Sequence, residues 1–134
     1  MDVNLIEIEQ IDHFVLTVCD IDATYNFYAP VLGMQVVTFG GDREALQLGN
    51  QKINLHQVGQ EFKPKALNAT PGSADIYLIT AIPLYQVIDF LISLTIELIE
   101  PNIVRRTGAM GIIESIYLCD LDGNLIEISN YVEG

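Results

Sequence analysis

Residues 13–37, HFVLTVCDIDATYNFYAPVLGMQVV, are echoed 62 positions later by residues 75–99, DIYLITAIPLYQVIDFLISLTIELI. At that offset Tyr28 matches Phe90, Leu32 matches Leu94, Met34 matches Ile96, and Val36 matches Leu98. Few residues are identical; what repeats is the order strand, helix, strand. A duplicated module carries one sheet whose open face must be covered, and pairing two copies creates a shared cleft. Polar residues on that cleft are where chemistry is to be sought.

Working outward, His13, Val15 and Thr17 alternate with Phe14, Leu16 and Val18, the pattern of a strand with one polar and one core face. Asp20 or Asp22 caps the next helix, in which Thr24, Phe27, Tyr28 and Val31 stand at i, i+3, i+4, i+7, and Gly33 ends it. Strands follow at Met34–Phe39, Ala45–Leu48 and Lys52–His56, with Asn54 and His56 sharing one face of the last. The first βαβββ module therefore spans 10–58. Residues 59–74, GQEFKPKALNATPGSA, lack periodicity and read as the connection. The second module, 75–131, opens with a strand at Asp75. Its helix begins near Pro83 with a stripe of Leu84, Val87, Ile88 and Leu91. A strand at Ile96–Ile99, a loop over 101–111 and a hairpin of Ile112–Cys119 with Asn124–Ile128 complete it. The expected class is α+β, one domain over 1–134 whose two modules form a curved mixed sheet around a cleft.

Composition narrows the function. Only six Lys and Arg stand against 18 Asp and Glu, a net charge of −12, which excludes a phosphate-backbone binder and disfavours anionic membranes. Residues 76–99 are apolar, but Pro83, Gln86, Asp89 and Glu97 interrupt them, so a strand and an amphipathic helix fit better than a membrane span. The start, MDVNLIEIEQ, lacks the basic and apolar regions of a signal peptide, and two cysteines make no disulfide framework. The expectation is a cytoplasmic protein with a small-molecule substrate.

The chain has two histidines, His13 and His56, both on the face opposite the helix-packing residues. Glu127 lies between Leu125 and Ser129, flanked by isoleucines, and points away from the helix layer. A carboxylate in such a strand is costly unless paired or bound to a cation. Two imidazoles and a carboxylate suffice for Zn, Ni, Mn or Fe(II); the alternative for Glu127 is an ion pair with Arg105 or Arg106.

IDHFVLTVCDIDATYNFYAPVLGM (11–34), LGNQKINLH (48–56) and SIYLCDLDGNLIEISNY (115–131) resemble the vicinal-oxygen-chelate superfamily of glyoxalases, bleomycin-resistance proteins and extradiol dioxygenases. With RTGAMGIIESIY (106–117) they look closest to its small glyoxalase-domain, virulence-protein branch. The resemblance implies metal ligands on the first and fourth strands of each module: His13 and His56, symmetric with Glu127, and with less support Asp75. It implies one divalent ion chelating vicinal substrate oxygens, Glu127 moving a proton, and a homodimer that pairs modules across chains. Arg105, Arg106 and Thr107 are candidates to position an anionic group, and Tyr77 and Tyr117 to line the cleft. The implied reaction is that of a glyoxalase-like lyase or isomerase on a small carbonyl compound or thiol adduct. Alternatives are an Fe(II) dioxygenase, a fosfomycin-type thiol transferase, or a metal-free bleomycin-resistance-like binding protein.

Overall fold

The computed structural model describes residues 5–132. Its elements run β1 (His13–Val18), α1 (Ile21–Leu32), β2 (Gln35–Phe39), β3 (Arg43–Leu48) and β4 (Gln51–Gln57). The second half repeats the order with β5 (Asp75–Ile79), α2 (Leu84–Ser93), β6 (Val104–Gly108), β7 (Gly111–Cys119) and β8 (Leu125–Tyr131). Two four-stranded sheets result, ordered β1-β4-β3-β2 and β5-β8-β7-β6. In each, the first and last strands pair parallel and the rest antiparallel. The expected α+β class and its two modules are what the chain forms.

The helices end where local chemistry stops them. Asp20 caps α1, its carboxylate accepting from the Ala23 N–H at 2.9 Å. Gly33 closes the helix at φ 70°, a left-handed conformation that costs an L side chain about 1 kcal/mol. Helix α2 has no side-chain cap of its own. Instead the Asn130 carbonyl oxygen on β8 accepts from the Leu84 N–H at 3.0 Å, while its amide donates to the Thr80 and Ile82 carbonyls, both at 2.9 Å. One half-buried side chain thus ties the β5–α2 connection to the sheet.

Both sheets turn one face to a single core. Leu16, Val18, Leu46, Ile53 and Leu55 meet Ile76, Ile116, Leu118, Ile126 and Ile128, and the two expected helical stripes pack against them. Burial of apolar area on this scale is the main stabilising term. A polar link crosses the modules: the buried Tyr28 hydroxyl donates to Asp120 Oδ2 at 2.5 Å. Asp120 also accepts from the backbone N–H groups of Asp122 and Asn124 and from the Asn124 amide, so its carboxylate is satisfied within the β7–β8 turn. Burial, and next this bond, push the Tyr28 hydroxyl well above the ordinary range.

One expectation is corrected. No strand forms over 96–99, and the segment expected as a loop holds β6. Ile99 contributes a single backbone bond to β7, its N–H donating to the Tyr117 carbonyl at 2.8 Å. The regular partner of β7 is Val104–Gly108, folded back through the tight turn at 109–110. It is an edge strand with one neighbour, so Arg and Thr are tolerated where a central strand needs apolar residues. Among the described residues no helix is long and apolar enough to cross a membrane.

Candidate functional site

Strand registers decide which side chains share a face. In sheet one, His13 pairs with Lys52, Val15 with Asn54 and Thr17 with His56. In sheet two, Asp75 pairs with Leu125, Tyr77 with Glu127 and Ile79 with Ser129. Neighbours across a register point to the same side. The face opposite the helices therefore carries His13, Lys52, Asn54 and His56 in module one. In module two it carries Asp75, Tyr77, Glu127 and Ser129, with Tyr117 and Ser115 from β7. Arg106, opposite Ile113, joins this second face. Arg105 and Thr107, opposite Glu114 and Ile112, lie on the other side of β6.

Glu127 is 3% exposed. Its Oε2 accepts from the Ser115 hydroxyl, and the Ser129 hydroxyl, 3.3 Å from the same oxygen and 2.6 Å from the Ser115 Oγ, shares its proton between the two. No arginine reaches it: the ion pairs among the described residues are His13–Asp12 at 2.7 Å and Lys65–Glu61 at 3.3 Å. Arg106 instead donates from Nε to the Tyr117 phenolic oxygen at 3.1 Å and from Nη1 to the Arg105 carbonyl. The alternative of an Arg ion pair is thus set aside. A buried carboxylate fixed by hydroxyls on one oxygen, with no counter-ion among the described residues, suits an exogenous cation.

The two imidazoles have different surroundings. Burial, then the Arg43 guanidinium, holds His56 below the ordinary imidazole range, favouring the neutral form a metal takes. Phe62, from the connection between modules, packs edge-on against its ring, centroids 5.5 Å apart. His13 is more open, and its Nδ1 donates to Asp12 Oδ2, which leaves Nε2 as the lone-pair nitrogen, as a carboxylate-oriented metal ligand requires. Asn54, on the same face and 9% exposed, has a buried Oδ1 with no hydrogen-bond partner. That orphan oxygen is a ready donor to a hard cation or acceptor for a substrate hydroxyl.

Within one chain these groups are not gathered. Among the described residues no three His, Cys, Asp or Glu side chains lie close enough to hold one ion. A cavity of about 420 Å³ touches His56, Thr17 and the connection at Lys65 and Thr70, whereas one of about 1010 Å³ opens near Val31, Tyr77, Ile79 and Phe90. Glu127 and His13 line neither. Asp75 is exposed, and its carboxylate makes no hydrogen bond among the described residues. The expected symmetry also needs correction: if His13 and Asp75 are counterparts, the registers make Asn54 the counterpart of Glu127 and Ser129 that of His56. The sequence places Asn54 beside His56 and Ser129 beside Glu127 without giving either a role, and does not single out Ser115, although each is a polar residue on the alternating face of a mostly apolar strand.

Three comparisons bear on this arrangement. Residues 10–128 match the model of the Glyoxalase/Bleomycin resistance protein/Dioxygenase superfamily. Virulence protein STM3117 of Salmonella typhimurium is 54% identical over 125 residues, covering 93% of this chain and 86% of that protein. Its crystal structure superposes with a TM-score of 0.92 over 95% of this chain and 100% of that one. The glyoxalase domain-containing protein RDO1 of Mycosarcoma maydis is 47% identical, covering 94% of this chain and 70% of that protein. The lactoylglutathione lyase of Agrobacterium tumefaciens, 18% identical, shares the fold at a TM-score of 0.69 over 92% of this chain and 95% of that one.

Proposed function

The chain belongs to the glyoxalase/bleomycin resistance protein/dioxygenase superfamily, and from that premise we propose that it is a metal-dependent, glyoxalase-like lyase or isomerase acting on a small carbonyl compound or its thiol adduct. The observation that carries this reading is Glu127, buried, held by serine hydroxyls and without an ion-pair partner among the described residues.

The site is assembled from two copies. His13 and His56 stand on the open face of module one and Glu127 on that of module two, and one chain does not bring them together. Val15, Tyr77 and Ile79 on the same faces are 44%, 63% and 55% exposed, apolar surface that a facing module would cover. In a homodimer whose module one faces the partner's module two, His13, His56 and Glu127 would hold one divalent ion, Zn, Ni, Mn or Fe. Asn54 Oδ1 is available beside them, and Asp75 is a further, peripheral candidate.

When bound, such an ion polarises two adjacent substrate oxygens and stabilises developing negative charge. The chain's own residues do the rest. Glu127, with one oxygen fixed by Ser115 and Ser129, removes the proton from the carbon next to the carbonyl and returns it to the neighbouring carbon. Tyr117, whose phenolic oxygen accepts from Arg106, keeps its O–H free to donate to a substrate oxygen. Tyr77, directly opposite Glu127 in the register, screens the carboxylate from water once the face is covered.

The test is metal analysis of protein purified without chelator, paired with turnover of a 2-oxoaldehyde and thiol after loading with each metal. One ion per site, lost in Glu127→Gln together with activity, is the expected result. Full ligand binding with no metal in any preparation would instead support a binding protein of the bleomycin-resistance kind.

A further inference from the structure

The chain has three times as many acidic as basic residues, yet its cations avoid carboxylates. Among the described residues Lys65 alone of the Lys and Arg side chains forms an ion pair. Three others rest on aromatic rings. Arg43 lies 4.4 Å from the centroid of Phe62, Lys52 3.5 Å from that of Phe39, and Arg106 5.8 Å from that of Tyr117. A ring face holds a cation in place without neutralising it or using up its N–H donors. In a protein of net charge −12, Arg43 and Lys52, both half-exposed and without an ion-pair partner among the described residues, keep their charge available on the module-one side.

Arg43 and Lys52 share one face, and the Lys52 ammonium covers the ring of Phe39, the cross-strand neighbour of Arg43. Lys52 is in register with His13, and Arg43, two residues before the Asn54 partner Ala45, shares the side of Asn54 and His56. Phe62 joins them to the metal-candidate end: its ring is stacked by Arg43 and packs edge-on to His56.

We infer that the module-one face is an oxyanion site, and that the substrate carries a carboxylate or phosphate group gripped by Arg43 and Lys52. This deepens the proposed carbonyl-handling reading by naming the charge of the substrate. It places the anion anchor on β3 and β4 and not on the Arg105–Thr107 segment considered from sequence. The guanidinium offers a planar pair of donors to either oxyanion, and because the rings already restrain both side chains, little ordering is required on binding.

The test uses metal-free wild-type protein, so that a failure of the metal reading leaves its outcome intact. Backbone amide NMR follows titration with malonate, with inorganic phosphate and with uncharged malonamide. Malonate or phosphate should shift amides on β3 and β4 with saturable binding that weakens as salt rises, and malonamide should not. The stronger of the two anions identifies the group. Arg43→Gln and Lys52→Gln should each weaken binding about tenfold, and Arg43→Lys, which keeps the charge but not the planar donor pair, should restore only part of it. Absence of saturable binding by both anions, equal binding of malonamide, or wild-type affinity in both Gln variants would overturn the inference. Thermal melts that match wild type keep loss of binding distinct from loss of fold.

Discussion

The two modules share an architecture and differ in what their open faces carry. Module one presents His13, Lys52, Asn54, His56 and Arg43, and module two presents Asp75, Tyr77, Glu127, Tyr117 and two serines. One face is cationic and imidazole-bearing; the other holds the buried carboxylate. Neither is a complete site, and their chemistry is complementary. Duplication thus supplied one scaffold twice, and divergence at matching positions (Asn54 against Glu127, His56 against Ser129) gave the halves different tasks. The helix layers diverged too. Tyr28 is 1% exposed and reaches Asp120, whereas its repeat partner Phe90 is 46% exposed.

The largest effect should come from erasing that difference at the carboxylate. Glu127→Gln makes the second face as neutral as the first at Asn54, and metal affinity should fall by more than about 100-fold, beyond what an outer residue costs. Equilibrium dialysis against Zn or Ni measures this; Asn54→Asp, which adds a carboxylate at the counterpart position, should tighten binding in the same assay. Next is the bond between modules. Tyr28→Phe should cost about 2 kcal/mol in denaturant unfolding, because Asp120 loses a buried donor. Since the folded Tyr28 ionises above the ordinary tyrosine value of 10.0, its contribution is full below that pH and is lost as pH rises past it. The variant should therefore lose less stability than wild type between pH 9 and about 11. Ser129→Ala frees Glu127 on one side and should weaken metal binding about tenfold with little change in melting temperature.

The smallest predicted effect concerns the helix ends. Gly33 and Thr95 are 62 positions apart, the offset of the repeat, and both adopt positive φ, 70° and 62°. Glycine holds this conformation without strain and threonine does not. Thr95→Gly should stabilise by about 0.5–1 kcal/mol, and Gly33→Ala should destabilise by about 1 kcal/mol, both read from urea midpoints. A Thr95→Gly variant no more stable than wild type, beside a destabilised Gly33→Ala, would mean that the two helix ends are not equivalent.

Face alternation in short apolar strands was enough to put His13, His56 and Glu127 on the sides opposite the helices, and helical stripes with Gly33 bounded α1. The edge strand β6 was illegible because VRRTG carries no alternation; only its pairing with β7 makes it a strand. Arg43 was overlooked since β3 begins two residues before the expected Ala45. Register is a long-range property, so the pairing of Tyr77 with Glu127 and the match of Asn54 to Glu127 had no local signal. The Ser115 and Ser129 contacts to Glu127 likewise join residues 12 and 2 positions away across and along strands.

The central claim is that module one of one copy and module two of its partner share a metal. It is tested most directly by mixing two inactive chains: a His13→Ala, His56→Ala double variant and a Glu127→Gln variant, unfolded and refolded together. Each alone should bind no metal. The mixed dimer joins one doubly damaged site and one with His13, His56 and Glu127 all intact, so metal analysis should find one ion per mixed dimer, with half the wild-type activity. Mixed dimers as empty as the parents would contradict the account, since lesions confined to separate sites within each chain cannot complement.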